Sequence, residues 1–344
     1  MTPERMIPER TPAKRARWLR PVLGLVVAGL FVWLIARRVE WAAVSRVLSS
    51  ASAAPLALGL LFFAAGIGVR VLRWWWMLRG FEPDLAARRC ARPFLVGLAV
   101  NNTVPFRAGD LVRAFGFRHA LRSPPGRVLG TLVIERVLDG VVLIAIFFIG
   151  LLGAASGVVP AAYVSAGATA GAIGLAAIVT LVVAPGWVAR RLERARSRLE
   201  ARAGGGLVAR VAGGATHFVE ALGTLQSPAR AVQLLGLSAL AWTLEGGLYA
   251  AVAASLHATV APLAPWFSLA TGTLATLLPS SPGYVGTFDY FTMLGLTAYG
   301  ADRSVAAAFA LLTHVLLWLP ITAAGALLLL APRITAMRRE AEPA

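Results

Sequence analysis

The residues with most chemistry to offer here are charged side chains set inside long apolar runs. Glu135, Arg136 and Asp139 fall together in the run 128–154, and Glu245 stands in the run 231–256, flanked by Trp242 and Gly246-Gly247. An ionised group among apolar neighbours is costly, so each calls for a partner or a task. On a helix, Glu135 and Asp139 lie four apart and face the same way, while Arg136 and Asp139 lie three apart and are able to pair. One acid is then neutralised locally. The other is left, with Asp110, to meet a cation, a proton or an arginine such as Arg107 or Arg113. Two readings follow: an ion-pair cluster that fastens elements together, or a site for a charged ligand.

A second concentration of polar groups is Asn101-Asn102-Thr103-Val104-Pro105-Phe106-Arg107-Ala108-Gly109-Asp110-Leu111-Val112-Arg113. It follows an apolar run, 94–100, that is too short to cross a bilayer. Non-helical polar backbone at membrane depth is tolerated only where protein or a watery cavity surrounds it. The segment near 94–120 is therefore expected to form a re-entrant hairpin lining a polar site; the alternative is a cytoplasmic loop with an amphipathic helix. The region 266–299 repeats the design, with Pro279, Pro282, Gly283, Gly286 and Asp289 after an apolar run rich in small residues. It reads either as a second hairpin or as two short spans joined by a Pro/Gly turn.

The remaining candidates are weaker. Arg70 and Arg73 precede Trp74-Trp75-Trp76 and read as interfacial anchors with snorkelling arginines, Arg70 lying deep enough to reach a phosphate. His314, alone in the last apolar run, reads as a packed or hydrogen-bonded histidine. Cys90 lies in a stretch read as a basic cytoplasmic loop. No Walker A loop, Ser-His-Asp arrangement or His/Cys metal spacing occurs, so neither an enzyme nor a cofactor or metal site is expected.

Composition says what must position these residues. The 344-residue chain is 58% hydrophobic and 14% charged, with a mean hydropathy of +0.72, which describes a polytopic membrane protein. Its formal net charge is +17. The arginines sit mostly between apolar runs, where they set orientation and meet anionic lipid headgroups rather than nucleic acid. Full spans are expected at 19–36, 53–78, 128–154, 161–184, 231–256 and 305–330. The first is retained rather than cleaved, because Arg37-Arg38 follow it where a signal peptide would have small residues.

Arginines crowd 1–18, 79–127, 190–230 and the C-terminal tail, which puts both termini in the cytoplasm; the stretch 37–46 interrupts this charge pattern. The expected organisation is a basic tail (1–18), a first membrane half (19–186), a basic amphipathic cytoplasmic linker (187–230), a second membrane half (231–331) and a tail (332–344). The fold class is an all-α polytopic membrane protein with about six full transmembrane helices plus two Pro/Gly-broken re-entrant hairpins. Span, hairpin, span then occurs twice in opposite orientation, as in an inverted-repeat transporter. The alternative is about eight spans.

The first hairpin, at Asn102, Pro105, Arg107, Gly109, Asp110 and Arg113, resembles the pattern N-x-x-P-x-R-x-G-E-x-x-R of the lysylphosphatidylglycerol synthase transmembrane-region family. Glu135, Arg136 and Asp139 look like its E-R-x-x-D. Pro279, Pro282, Gly283, Gly286 and Asp289 are similar to its P-x-x-P-G-G-x-G-x-x-E. Both hairpin glutamates are aspartates here, and Tyr284 stands where the second glycine of the pair would be. The resemblance covers nearly the whole chain. It implies kinship with the flippase portion of aminoacyl-phospholipid synthases and with stand-alone, flippase-like members tied to lipid, isoprenoid or glycan pathways. In the two-part synthases a cytoplasmic catalytic domain follows the membrane region; this sequence stops after Arg338-Arg339, so aminoacyl transfer is not expected of it.

The expected function is movement of a phospholipid or other anionic or zwitterionic amphiphile between leaflets of a bacterial inner (plasma) membrane. Arg107, Arg113 and Arg136 would meet phosphate, and the Asn101 and Asn102 amides would bond the headgroup. Asp110, Glu135, Asp139 and Asp289 would hold the arginines or bind an amine or coupling proton, with Glu245 as a further acid. The partners expected are membrane lipids with anionic headgroups and a lipid or glycan biosynthesis enzyme. The alternative is an accessory protein that holds a lipid for such an enzyme; an embedded enzyme acting on a polyprenyl phosphate is a third reading.

Overall fold

The computed structural model describes the backbone of residues 13–104, 107–153, 228–278 and 281–341, with a few single positions between 154 and 227. Almost all of the expected span 161–184, most of the linker 187–230, and Pro105 and Pro279 lie outside the described residues.

Every regular element among the described residues is helical. The helices α1 (Ala13–Ala36), α3 (Ala53–Arg79), α7 (Pro125–Gly153), α8 (Pro228–Ser255) and α11 (Arg303–Ala341) fall on the apolar runs at 19–36, 53–78, 128–154, 231–256 and 305–330. Three segments, Ala53–Arg79, Ala229–Ser255 and Arg303–Leu330, are long and apolar enough to cross a bilayer. The chain is an all-α, multi-pass membrane protein. Proline opens α7 and α8, where the missing N–H would be unpaired in any case. Asp302 caps α11: its carboxylate accepts the Ser304 N–H at 2.8 Å, and that bond holds the carboxyl below the usual carboxylate range.

The α3 and α8 helices run against each other. The Ser52 N–H donates to the Ser255 carbonyl at 2.9 Å and fixes their register. Gly59 lets the backbones close up, because a Cβ there would sit 2.9 Å from Ala251 Cβ. The interruption around 37–46 contains α2 (Trp41–Ser49), a short helix that buries Val44 and packs on α11.

Three other helices are shorter than the roughly 20 residues a bilayer needs. These are α4 (Arg88–Thr103), α9 (Ala264–Ala275) and α10 (Thr287–Thr297), with 16, 12 and 11 residues. After α4 the chain turns back through α5 (Ala108–Leu111), one π-helical turn (Val112–Gly116) and α6 (Arg118–Leu121). The α5 helix packs on α4 so closely that a Cβ on Gly109 would collide with the Gly97 carbonyl oxygen. Cys90 is buried within α4, not carried on a loop, because the apolar stretch behind it extends the helix back to Arg88. The α9 and α10 helices pack on one another, and α10 and α4 both pack on α11.

Two apolar clusters hold the bundle. One includes Phe63, Tyr249, Phe288 and Phe309, and the other Trp74, Met77, Phe94 and Leu121. Arg70 and Arg73 of α3, Glu135 and Asp139 of α7 and Glu245 of α8 are buried within this bundle.

Gly109→Ala is expected to cost about 1–3 kcal/mol of stability by overpacking against backbone. Gly140→Ala, whose Cβ would meet nothing within 4 Å, is expected to leave stability unchanged or slightly raised. Unfolding of the two detergent-solubilised variants beside the parent checks this; equal stability of the two variants would refute the close approach of α5 to α4.

Candidate functional site

Four ion pairs occupy the centre of the described bundle, and each joins two different elements. Arg73 of α3 forks onto Asp139 of α7, with Nη1 to Oδ1 at 2.5 Å and Nη2 to Oδ2 at 3.2 Å. Its Nη1 also donates to Ser238 Oγ of α8, and the Trp242 indole N–H donates to Asp139 at 3.1 Å. Arg70, one turn earlier on α3, lies 2.8 Å from Glu245 of α8 and stacks on Trp242 at 4.5 Å. Arg113 leaves the π-helical turn fully buried, stacks on Trp74 at 4.1 Å and Phe94 at 4.5 Å, and donates to Glu135 from both Nη atoms at 3.4 and 3.2 Å. A wide π turn suits this role, because it aims a side chain off the ordinary helical face.

The fourth pair is looser. Arg136 Nη2 reaches Asp110 Oδ1 at 3.5 Å, and the Arg136 side chain is 38% exposed. Asp110 is positioned by the Asn101 amide at 3.1 Å, and Asn101 in turn accepts the Gly109 N–H at 2.8 Å. Arg136 Nε and Arg70 Nη1 are buried with no hydrogen-bond partner among the described residues.

These pairs border a cavity of about 240 Å³ walled by Arg70, Glu135, Arg136, Asp139, Glu245 and His314, with Phe94, Trp242, Tyr284 and Trp318 as its aromatic sides. The ends of the two short-helix units meet at its rim. The Asn102 amide donates to Thr322 Oγ1 at 3.1 Å, and the Trp318 indole N–H donates to the Asn102 carbonyl at 3.2 Å. The turn Pro282–Tyr284 packs beside them, with Gly283 at φ +71° against the Trp318 ring and the Asn102 carbonyl. His314 lies between Asp289 and this turn, 2.7 Å from Asp289 Oδ1 and 2.9 Å from the Gly283 carbonyl oxygen.

Of the residues singled out by sequence, Asn102, Glu135, Arg136, Asp139, Glu245 and Gly283 line the cavity. Asn101, Asp110, Arg113 and Asp289 stand behind its wall and hold those that do. Gly109 serves the close packing of α5, and Gly286, at φ +83°, faces the Ala28 carbonyl of α1. Pro282 is exposed. Arg107 takes a left-handed backbone (φ 52°) at the start of α5, is absent from the cavity wall, and forms no ion pair with a described residue.

Several pairings differ from the expectation. Asp139 does not pair with Arg136 three residues away, because the planar Arg73 guanidinium grips both its oxygens. Arg70 and Arg73 do not snorkel, and Trp74 is not an interfacial anchor: all three are buried, the arginines beside acids of other helices and Trp74 beneath Arg113. Glu245 does not stand alone, since Arg70 faces it. Arg70, which the sequence reads as deep enough to reach a phosphate, also lines the cavity, as do His314 and Tyr284, which it weighed but not as site residues, and Trp318, which it passed over. The rule that a charge inside a span calls for a partner would have flagged Arg70 and Arg73 had it been applied to the end of α3.

Residues 22–325 match the family model described as Lysylphosphatidylglycerol synthase TM region. Glycosyltransferase AglD of Haloferax volcanii is 26% identical over 328 residues, covering 85% of this chain and 51% of that protein. This chain thus spans about half the length of the curated relative it matches.

Arg73→Met leaves Asp139 buried without its cation and is expected to lower stability by about 3–5 kcal/mol. Arg107→Ala is expected to cost less than about 0.5 kcal/mol. Thermal unfolding in one detergent ranks the two; comparable losses would contradict this division of labour.

Proposed function

We infer that this chain, which belongs to the lysylphosphatidylglycerol synthase transmembrane-region family, moves an amphiphile with an anionic or zwitterionic headgroup between the leaflets of a bacterial inner membrane. The observation that carries this reading is the largely apolar, aromatic-lined cavity with Arg136 and other charged groups in its wall, which sits where two units of sub-bilayer helices meet inside an apolar bundle. A headgroup that enters hydrocarbon loses its water at a cost of several kcal/mol unless other polar groups replace it. Arg136, the Asn102 amide, and the Thr273 and Thr276 hydroxyls around the cavity supply such groups.

In this reading α4 with α5, and α9 with α10, are re-entrant hairpins of an inverted repeat, spanning halves 19–186 and 231–331, that bring broken helices to a midplane site. Both termini and the basic linker 187–230 face the cytoplasm, where their arginines meet anionic lipid. Arg136 takes the phosphate. Its hold on Asp110 is long and partly exposed, so a ligand oxygen displaces that carboxylate at little cost. The forked Arg73 and the stacked Arg113 hold the wall.

A second reading is favoured by one observation: the relative named a glycosyltransferase is about twice the length of the match. There the membrane region would hold a lipid for an attached or associated enzyme of lipid or glycan synthesis, and the cavity would retain its ligand without moving it.

Reconstitution into vesicles containing a headgroup-labelled phosphatidylglycerol tests both. Wild-type protein is expected to expose inner-leaflet label to an external quencher. Arg136→Ala is expected to slow this at least about tenfold, the equivalent of one charge-assisted hydrogen bond. Label that stays protein-bound but never changes leaflet would favour the holding reading, and wild-type rates in Arg136→Ala would remove Arg136 from the path.

A further inference from the structure

We propose that the His314–Asp289 pair is a proton-binding site whose occupancy holds the turn of the second short-helix unit against α11. The argument is one of hydrogen counting. The Gly283 carbonyl oxygen only accepts, so His314 Nε2, 2.9 Å from it, carries a hydrogen. A neutral imidazole has a single N–H, which leaves Nδ1 bare. That bare nitrogen would then stand 2.7 Å from Asp289 Oδ1, lone pair against lone pair. A further proton therefore lies between them, on the ring or on the carboxyl. The other carboxyl oxygen, Oδ2, is committed to the Gly286 N–H at 2.8 Å.

With the proton bound the pair is neutral, as imidazolium with carboxylate or as imidazole with carboxylic acid. When the proton leaves for water in the cavity, the pair carries one buried negative charge. The groups around it do not offset that charge. The α8 helix contributes Glu245 and Tyr249, α7 contributes Glu135, Arg136 and Asp139, and α3 contributes Arg70. Arg70 is already against Glu245, and Arg136 is beside Asp110. Tyr284 belongs to the turn itself, and Arg46 of α2 is exposed. The described side chains of α1, all of α9, and the cavity-lining residues of α4 carry no ionisable group.

Relief comes from parting one of the two contacts of His314. A neutral ring that keeps its one hydrogen on Nδ1, toward the Asp289 carboxylate, turns a bare Nε2 to the Gly283 carbonyl; parting there frees the Pro282–Tyr284 turn, which packs on Trp318, and Trp318 is bonded to the Asn102 carbonyl at the end of α4. Proton occupancy is thus tied to the seam between the two units, and by linkage whatever opens that seam changes the affinity for the proton. The proton site stands on geometry alone; its use in lipid movement rests on the transport reading above, where it would supply coupling to a proton gradient.

The test is ¹⁵N-histidine NMR of the full chain in lipid nanodiscs, with the His314 signal among the 4 histidines assigned by its loss in His314→Gln. Infrared spectra of wild type and Asp289→Asn report the carboxyl. The expected result is a doubly protonated His314 ring, or a protonated carboxyl band lost in Asp289→Asn, with release on raising the pH shifting the Trp318 indole signal. A bare Nδ1 beside an ionised Asp289 at every pH at which the protein stays folded overturns the site. Release that leaves Trp318 unmoved overturns its tie to the seam. In the vesicle assay, His314→Gln with wild-type rate and pH dependence overturns the coupling. A wild-type protein that moves no lipid overturns the transport reading instead, and the spectra then decide the proton site by themselves.

Discussion

The constraint on which this molecule depends is that four arginines are set against four acids inside an apolar bundle, three of the pairs almost wholly out of water. Each ion withdrawn from water costs several kcal/mol, and attraction repays this only when the partner is within hydrogen-bonding reach. The four pairs therefore act as fixed distances between elements. Arg70–Glu245 sets α3 against α8, Arg73–Asp139 sets α3 against α7, Arg113–Glu135 ties the π-helical turn to α7, and Arg136–Asp110 ties α7 to α5. A helix in lipid gains little from sliding one apolar face along another. A slide that leaves a carboxylate bare is penalised heavily, and so the pairs set the register.

The pairs differ in how easily they exchange. Asp139 receives two bonds from Arg73 and one from Trp242, and Arg113 lies between two aromatic rings with no exposed surface. Exchanging either acid for a ligand would break at least two buried contacts at once. Arg136 offers the opposite balance: one contact at 3.5 Å and a side chain that is partly exposed. A structural role and a binding role therefore need not compete for the whole cluster. The difference in distance and burial divides it, with rigid pairs as the frame and the loose pair as the exchangeable member.

How much of this was legible in the sequence follows from the range of each interaction. The long helices were, because an apolar run of bilayer length bounded by arginines is a local signal. So was the oddity of the two Pro/Gly segments, whose short helices the structure shows. The pairing was not. Arg73 and Asp139 are 66 residues apart, and Arg73 and Ser238 are 165 apart, so local spacing favoured the near pair Arg136–Asp139 instead. Arginines beside three tryptophans at the end of an apolar run look alike whether they snorkel or turn inward, since only the neighbouring helix decides. His314 was legible as a hydrogen-bonded histidine but not as part of the cavity, because its two partners lie on α10 and on the turn before it.

The seam between the two units is built from lighter contacts than the paired frame, and under the transport reading it is the place where two arrangements of nearly equal free energy would be found. Arg107 and Tyr284, at the turns of the two units, hold left-handed backbone at φ 52° and 60°. For side chains other than glycine this costs about 1–2 kcal/mol each. Such strain persists only where neighbours impose it. At the second turn the Gly283 carbonyl oxygen is joined to His314 by one hydrogen bond, Gly283 packs against Trp318, and Trp318 donates one hydrogen bond to the Asn102 carbonyl of α4. Single hydrogen bonds are worth about 1 kcal/mol net, comparable with the strain they oppose. The seam is thus held by terms of similar size and opposite sign, while the paired frame behind it is held by much larger ones. The ion pairs lie outside these contacts, so the frame does not depend on the seam.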